Sequence, residues 1–178
     1  MIKITIKLCF AILLALTLVS LVAGQEKSET YSEPAAGFSF VIPQGWTMQD
    51  IPDKKYKQIF GEKANDFTPN IHILDEDFNG PLEVYAEKGQ KYAESSYKQM
   101  GFDKITKISQ TAFTTKSGQS GIKLTNEIEA YGRKHLFRQY LFAGKNNKVF
   151  VFTCSSLADD TITGPACDAS MKTLTFTK

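Results

Sequence analysis

Two histidines, three cysteines and one short run of carboxylates are the side chains through which this chain could do chemistry. A Ser/His/Asp arrangement needs an imidazole beside an activated nucleophile, and no Gly-x-Ser-x-Gly elbow occurs anywhere in the sequence. His72 sits within an apolar run and reads as a satisfied strand residue, whereas His135 follows Arg133-Lys134 and reads as a solvated hairpin tip. No catalytic residues are expected. Asp75, Glu76, Asp77 and Asn79 place hard oxygen donors in one expected loop, which is what a weak calcium site requires. The same residues would serve equally as a solvated acidic loop beside the positive end of the next helix, and that reading is preferred. Phosphate-cradling glycine loops, dinucleotide fingerprints, zinc-protease patterns and calcium-hand patterns are absent. Among the aromatic residues, Tyr85, Tyr92 and Tyr97 recur at helical spacing and read as a core face. Tyr56, Tyr131 and Phe137 lie next to turns and are the candidates for an exposed partner-binding edge, while Trp46, the single tryptophan, reads as a core plug beside a turn.

Cysteine usage depends on where the chain ends up. Lys3 and Lys7 begin it, Leu8 to Leu21 is almost wholly apolar, and Val22-Ala23-Gly24 offers the small residues that signal peptidase selects. The apolar run of about 14 residues is short of the roughly 20 that span a bilayer, so residues 1–24 are expected to be a cleavable signal peptide. Gln25 stands where a lipoprotein would need cysteine, and Cys9 lies inside the apolar run, so no lipid anchor is expected. Export leaves Cys154 and Cys167, an even pair in an oxidising compartment, for which a disulfide is the default. Twelve residues separate them where thioredoxin-like chemistry uses two, and neither histidine has zinc-ligand spacing to them.

With both leader lysines removed, the basic count of 21 falls to match the 19 acidic residues. Neutrality argues against nucleic acid and against a polybasic membrane contact. The remaining length suits one domain and, by expectation, a monomer with no transmembrane segment.

Residues 25–34 are polar and read as a flexible linker, after which 35–178 form the domain. Phe38, Phe40 and Ile42 alternate along a strand that Pro43-Gln44-Gly45 stops. Tyr56 to Phe60 and Ile71 to Leu74 follow as strands. Pro81 opens a helix to about Met100, which Gly89 weakens in the middle. Residues 105–114, 121–131, 134–142 and 148–155 then read as consecutive hairpins with Lys116-Ser117-Gly118, Gly132 and Gly144 to Asn147 at their corners. In the last of these strands Val149, Val151 and Thr153 face one way and Phe150, Phe152 and Cys154 the other, as in a strand inside a sheet covered on both faces. A helix from about Pro165 to Leu174 carries Cys167 and supplies the second cover.

The stretch Gly37-Phe38-Ser39-Phe40-Val41-Ile42-Pro43-Gln44-Gly45-Trp46, preceded by Tyr31, resembles the start of the PsbP-like and DcrB-like family of envelope proteins. The strand meander from Gly121 to Phe152 and the closing segment Ser170 to Phe176 agree with it. The resemblance implies an α+β fold, a three-layer α/β/α sandwich with a central antiparallel sheet flanked by helices. It also implies a non-enzymatic accessory or binding protein, periplasmic or secreted, acting on a membrane-associated protein partner. No family functional residue falls on the matching positions. The alternative is a calcium-dependent or small-ligand binder that uses the acidic loop 75–79.

Overall fold

A computed structural model describes residues 29–99 and 104–177; the expected signal peptide lies outside them, as does Met100 at the end of the expected helix. Among the described residues no helix is long and apolar enough to cross a membrane.

Among the described residues ten strands and two helices follow in order: β1 (Thr30–Glu33), β2 (Phe38–Val41), β3 (Thr47–Gln49), β4 (Gln58–Phe60), β5 (Asn70–Asp77), α1 (Leu82–Gln99), β6 (Lys104–Thr114), β7 (Ser120–Ala130), β8 (Arg133–Ala143), β9 (Lys148–Leu157), α2 (Thr163–Met171) and β10 (Thr175–Phe176). Seven strands form one antiparallel sheet in the order β3-β4-β5-β9-β8-β7-β6, and β1-β2-β10 form a second, smaller one. The four long hairpin strands pair in the expected meander, and β9 lies inside the sheet between β5 and β8.

Strand alternation divides the core in two. Phe142, Phe150, Phe152 and Cys154 point to one face, where they meet Phe38 and Phe40 of the small sheet and Cys167, Met171 and Leu174 at the end of the chain. Phe38 is the hub: its ring lies 5.3 Å from Phe152, 5.4 Å from Phe150 and 5.7 Å from Tyr56, all edge-on. Ile122, Leu124, Leu141, Val149 and Val151 point to the other face, under Ala86, Leu82 and Tyr85 of α1. Edge-on aromatic pairs of this kind contribute about 0.5–1.5 kcal/mol each beyond the area they bury.

The layering therefore departs from the expected α/β/α sandwich. One face carries a single helix, and the other carries the three-stranded sheet together with the nine-residue α2. The expected linker 25–34 is in part ordered sheet, because Tyr31 is 2 % exposed and stacks on Phe40 with ring centres 5.3 Å apart. That contact recruits β1, whose Thr30 to Glu33 pair in register with Val41 to Phe38.

Cys154 of β9 and Cys167 of α2 form the expected disulfide, with sulfurs 2.07 Å apart and both residues buried. Beside it Lys123 bridges Asp168 at 2.6 Å and the Tyr140 hydroxyl donates to the same carboxylate at 2.7 Å, so α2 is held to the sheet by a covalent and an ionic tie. Trp46 packs against the core as expected; its ring lies where a Cβ on Gly61 would sit, 2.7 Å away. At the opposite side of the molecule, Gly89 lies mid-helix in α1, and a Cβ placed there would meet nothing within 4 Å. Glycine at such a position weakens a helix by about 1 kcal/mol relative to alanine.

Candidate functional site

The acidic run does not form a loop. β5 continues through Asp77, so alternation sends Asp75 and Asp77 to one face and Glu76 to the other. Asp75 is enclosed: its side chain is 6 % exposed, Lys55 lies 2.7 Å from Oδ1, Tyr56 donates to the same oxygen at 3.0 Å, and Lys148 lies 3.3 Å from Oδ2. Burial alone would raise the Asp75 carboxyl, but the donors from Lys55, Tyr56 and Lys148 outweigh it and hold the group below its ordinary value. Asp77 is engaged by Lys148 at 2.8 Å, and Glu76 accepts the Tyr85 hydroxyl at 2.9 Å. Asn79 is exposed beyond the strand end. These oxygens are thus not gathered on one centre, and no group of three metal-ligating side chains occurs among the described residues.

The histidines are equally separate. His72 lies in β5 and His135 in β8, and neither imidazole hydrogen-bonds a carboxylate, serine or cysteine among the described residues. Burial first, then Lys54, pushes His72 down; burial first, then Arg133, does the same for His135. His135 is not at a solvated tip as expected. Its ring is half-buried, 5.1 Å from that of Phe67, because the hairpin turn is only two residues long and His135 is already inside the strand.

Of the three aromatic candidates for a binding edge, the structure separates one from the other two. Tyr56 is 4 % exposed, its ring edge-on to Phe38 and its hydroxyl bound to Asp75, so it is core. Tyr131 is 91 % exposed, and Phe137 is partly buried nearby. Tyr92 departs from the expected core face in the other direction, being 74 % exposed.

Tyr131 and Phe137 meet at one end of the long sheet in a cleft of about 480 Å³ lined also by Phe67, Ile128, Arg133 and His135. Two tight turns build it. Ala130 pairs directly with Arg133, and the intervening Tyr131 and Gly132 both have positive φ, 53° and 70°, the signature of a type I′ hairpin. Ala64 and Phe67 exchange two backbone hydrogen bonds of 2.9 Å around Asn65 and Asp66, at φ 49° and 58°, which makes a second turn of the same kind. The Arg133 guanidinium donates to the carbonyl of Asn65 and ties the two turns together. Phe67 thereby lies against His135, with Phe137 two residues further along the same face of β8.

Asparagine, aspartate and glycine suit the first central position of a type I′ turn, whereas a bulky L-residue there costs on the order of 1–2 kcal/mol. Asn65 obeys that preference and Tyr131 violates it. The residue that breaks the rule is also the most exposed large aromatic among the described residues. Strain of this kind tends to sit where a side chain must be presented. Sequence reasoning missed Phe67, Arg133 and His135, although the Asn65-Asp66 pair was a legible turn signal.

No family model matches the chain, and no curated protein matches it in sequence. Solved structures do match its fold. The cyanobacterial PsbP (CyanoP) of Synechocystis superposes with a TM-score of 0.61 at 17 % identity, covering 88 % of this chain and 97 % of that one. LpqN of Mycobacterium tuberculosis, described as involved in cell envelope biogenesis, gives 0.57 at 14 % identity over 87 % and 88 %. A Pseudomonas aeruginosa protein of unknown function, described as a putative regulator, gives 0.56 at 16 % identity over 83 % and 96 %. The fold is PsbP-like.

Proposed function

We propose that this chain is an exported, non-enzymatic accessory protein of the cell envelope that meets a membrane-associated protein partner with the aromatic cleft at the β7–β8 hairpin end. The observation that carries the reading is Tyr131, held almost fully exposed in a costly backbone conformation at the lip of an apolar cleft. A tyrosine presented this way supplies a large, rigid contact with few rotors to freeze, the kind of residue that dominates binding energy at protein interfaces. Arg133 beside it adds a planar donor at the rim. The description of LpqN and the PsbP-like fold favour an envelope role outside the cytoplasm, and the buried disulfide suits an oxidising compartment. The absence of any histidine-centred hydrogen-bonded constellation among the described residues fits a binding role better than acid–base catalysis.

An affinity pull-down from the source organism's envelope fraction tests this, using the oxidised protein, its Tyr131→Asn variant and parallel runs with calcium and with chelator. Asn suits the turn, so the variant keeps the fold while removing the ring. Capture of one membrane-protein partner by the parent, lost or at least about tenfold weaker with Tyr131→Asn, is the expected result. Equal capture by both would sink the assignment of the surface, and capture only with calcium would favour the acidic residues of β5 instead.

A further inference from the structure

A second cavity lies on the α1 face of the sheet and shares no lining residue with the hairpin-end cleft. A helix is about 10 Å wide, whereas neighbouring strands are about 4.8 Å apart, so one helix cannot roof seven strands. Beside α1 this leaves a cleft of about 430 Å³. Its floor is aliphatic, made by Leu74, Val151 and Leu141, which are cross-strand neighbours on β5, β9 and β8, together with Leu124 of β7.

The helix wall of this cleft sets Ala86, Gly89, Ala93 and Ser96 between the larger Tyr85, Tyr92 and Tyr97. Gly89 is the informative one. Its backbone is ordinary helix, no neighbour crowds it, and a Cβ there would meet nothing within 4 Å, so neither the fold nor a turn demands glycine. A helix-weakening residue with no structural cause stands where a larger side chain would grow into the cleft. The mouth carries opposite charges, with the Glu76 carboxylate bonded to the Tyr85 hydroxyl at 2.9 Å and Lys88 5.5 Å from the centre of the Phe78 ring. Burial first, then Glu76, pushes the Tyr85 hydroxyl upward, which keeps it a donor across the working pH range.

We infer that this cleft binds a small uncharged amphiphile, its apolar body on Leu74, Leu141 and Val151 and a hydroxyl or amide head between Glu76 and Lys88. The volume falls in the range of small-molecule sites, roughly 300–1,000 Å³. The opposite charges at the mouth favour a neutral head: a group that both donates and accepts can meet Glu76 and Lys88, while a charged head drawn to one of them is repelled by the other.

Fluorescence titration of the purified, oxidised protein with N-phenylnaphthylamine, an uncharged apolar probe with one N–H donor, tests the inference. Decanol, decanoate and decylammonium then compete for the probe. The expected result is saturable binding that decanol displaces best, weakened at least about tenfold by Gly89→Phe, which fills the cleft from the helix wall. Gly89→Ala, which improves the helix and adds a single methyl, keeps the binding and raises the melting temperature, and a cooperative melt of Gly89→Phe itself at or above the parent's temperature separates a filled cleft from an unfolded protein. Absence of saturable binding, equal binding by Gly89→Phe, or stronger displacement by either charged chain would overturn it.

Discussion

Tyr56 and Tyr131 are equivalent in sequence, since each lies next to a turn, yet they sit at opposite extremes of exposure. What separates them is long-range packing: Phe38 and Asp75, both distant in sequence, close over Tyr56, and nothing in its own neighbourhood announces them. Tyr131 differs because its local context was informative; a two-residue Tyr-Gly turn forces positive φ on an aromatic, and that cost is visible once the strands on either side are paired. The charges of β5 carry a testable consequence of their own. Asp75 titrates below its unfolded value of about 3.9, so the stability it contributes is complete above that pH and is lost as the pH falls through the folded value. His72 and His135 are both pushed below their ordinary value near 6.5, so the fold favours their neutral forms and loses stability as acid charges them. Thermal melting against pH should therefore show a decline that starts near pH 6.5 and steepens below about pH 4. In Asp75→Asn the lower part of that decline should shrink while the melting temperature at neutral pH also falls. A melting temperature constant from neutral pH down to about 3.5 would contradict both assignments.

The long elements were the legible ones. β6 to β9 are ten or eleven residues each, their corners carry turn residues, and their antiparallel order follows from short connections alone. α1 and the disulfide-bearing α2 were also readable, the first from helical spacing behind Pro81 and the second from Pro165 with Cys167. Short elements were not. β1 contributes four polar-looking residues whose one apolar member, Tyr31, finds its partners only after β2 has formed, so the segment passed for a linker. The acidic end of β5 passed for a loop because charge looks like solvent exposure, yet Lys55 and Lys148 pair with Asp75 there. At this scale the disulfide is the strongest single claim. Bridging residues 13 apart should contribute about 3 kcal/mol on the chain-entropy model. Urea unfolding of the reduced protein, or of a Cys154→Ser, Cys167→Ser double variant, should show a loss of that order. Amide exchange should rise first in α2, which would keep the Lys123–Asp168–Tyr140 tie and the Ser170 hydrogen bond to the Val41 carbonyl. A loss below about 0.5 kcal/mol would mean that the ionic tie suffices without the bridge.

Across the whole molecule, the two faces of the long sheet are finished differently. One is sealed by the small aromatic sheet and α2, and the other is half-roofed by α1, which leaves an open cleft beside the helix. A second opening lies at the β7–β8 end, where two turns bridged by Arg133 frame Tyr131. The resemblance in the Phe-x-Phe-x-Ile-Pro-x-Gly-Trp stretch led to the PsbP-like fold, though not to its layering, because those residues are core and turn positions. The same fact explains why it gave no site: positions that hold a sheet together say nothing about what the sheet's ends present. Partner binding is placed at the hairpin end. A photo-crosslinking amino acid at Tyr131, compared with one at Asn147 in the β8–β9 turn about 35 Å away along β8, measures it directly in the envelope fraction. One discrete crosslinked product is expected from position 131 and none from position 147. The same product from both positions, or a product from 147 alone, would contradict it.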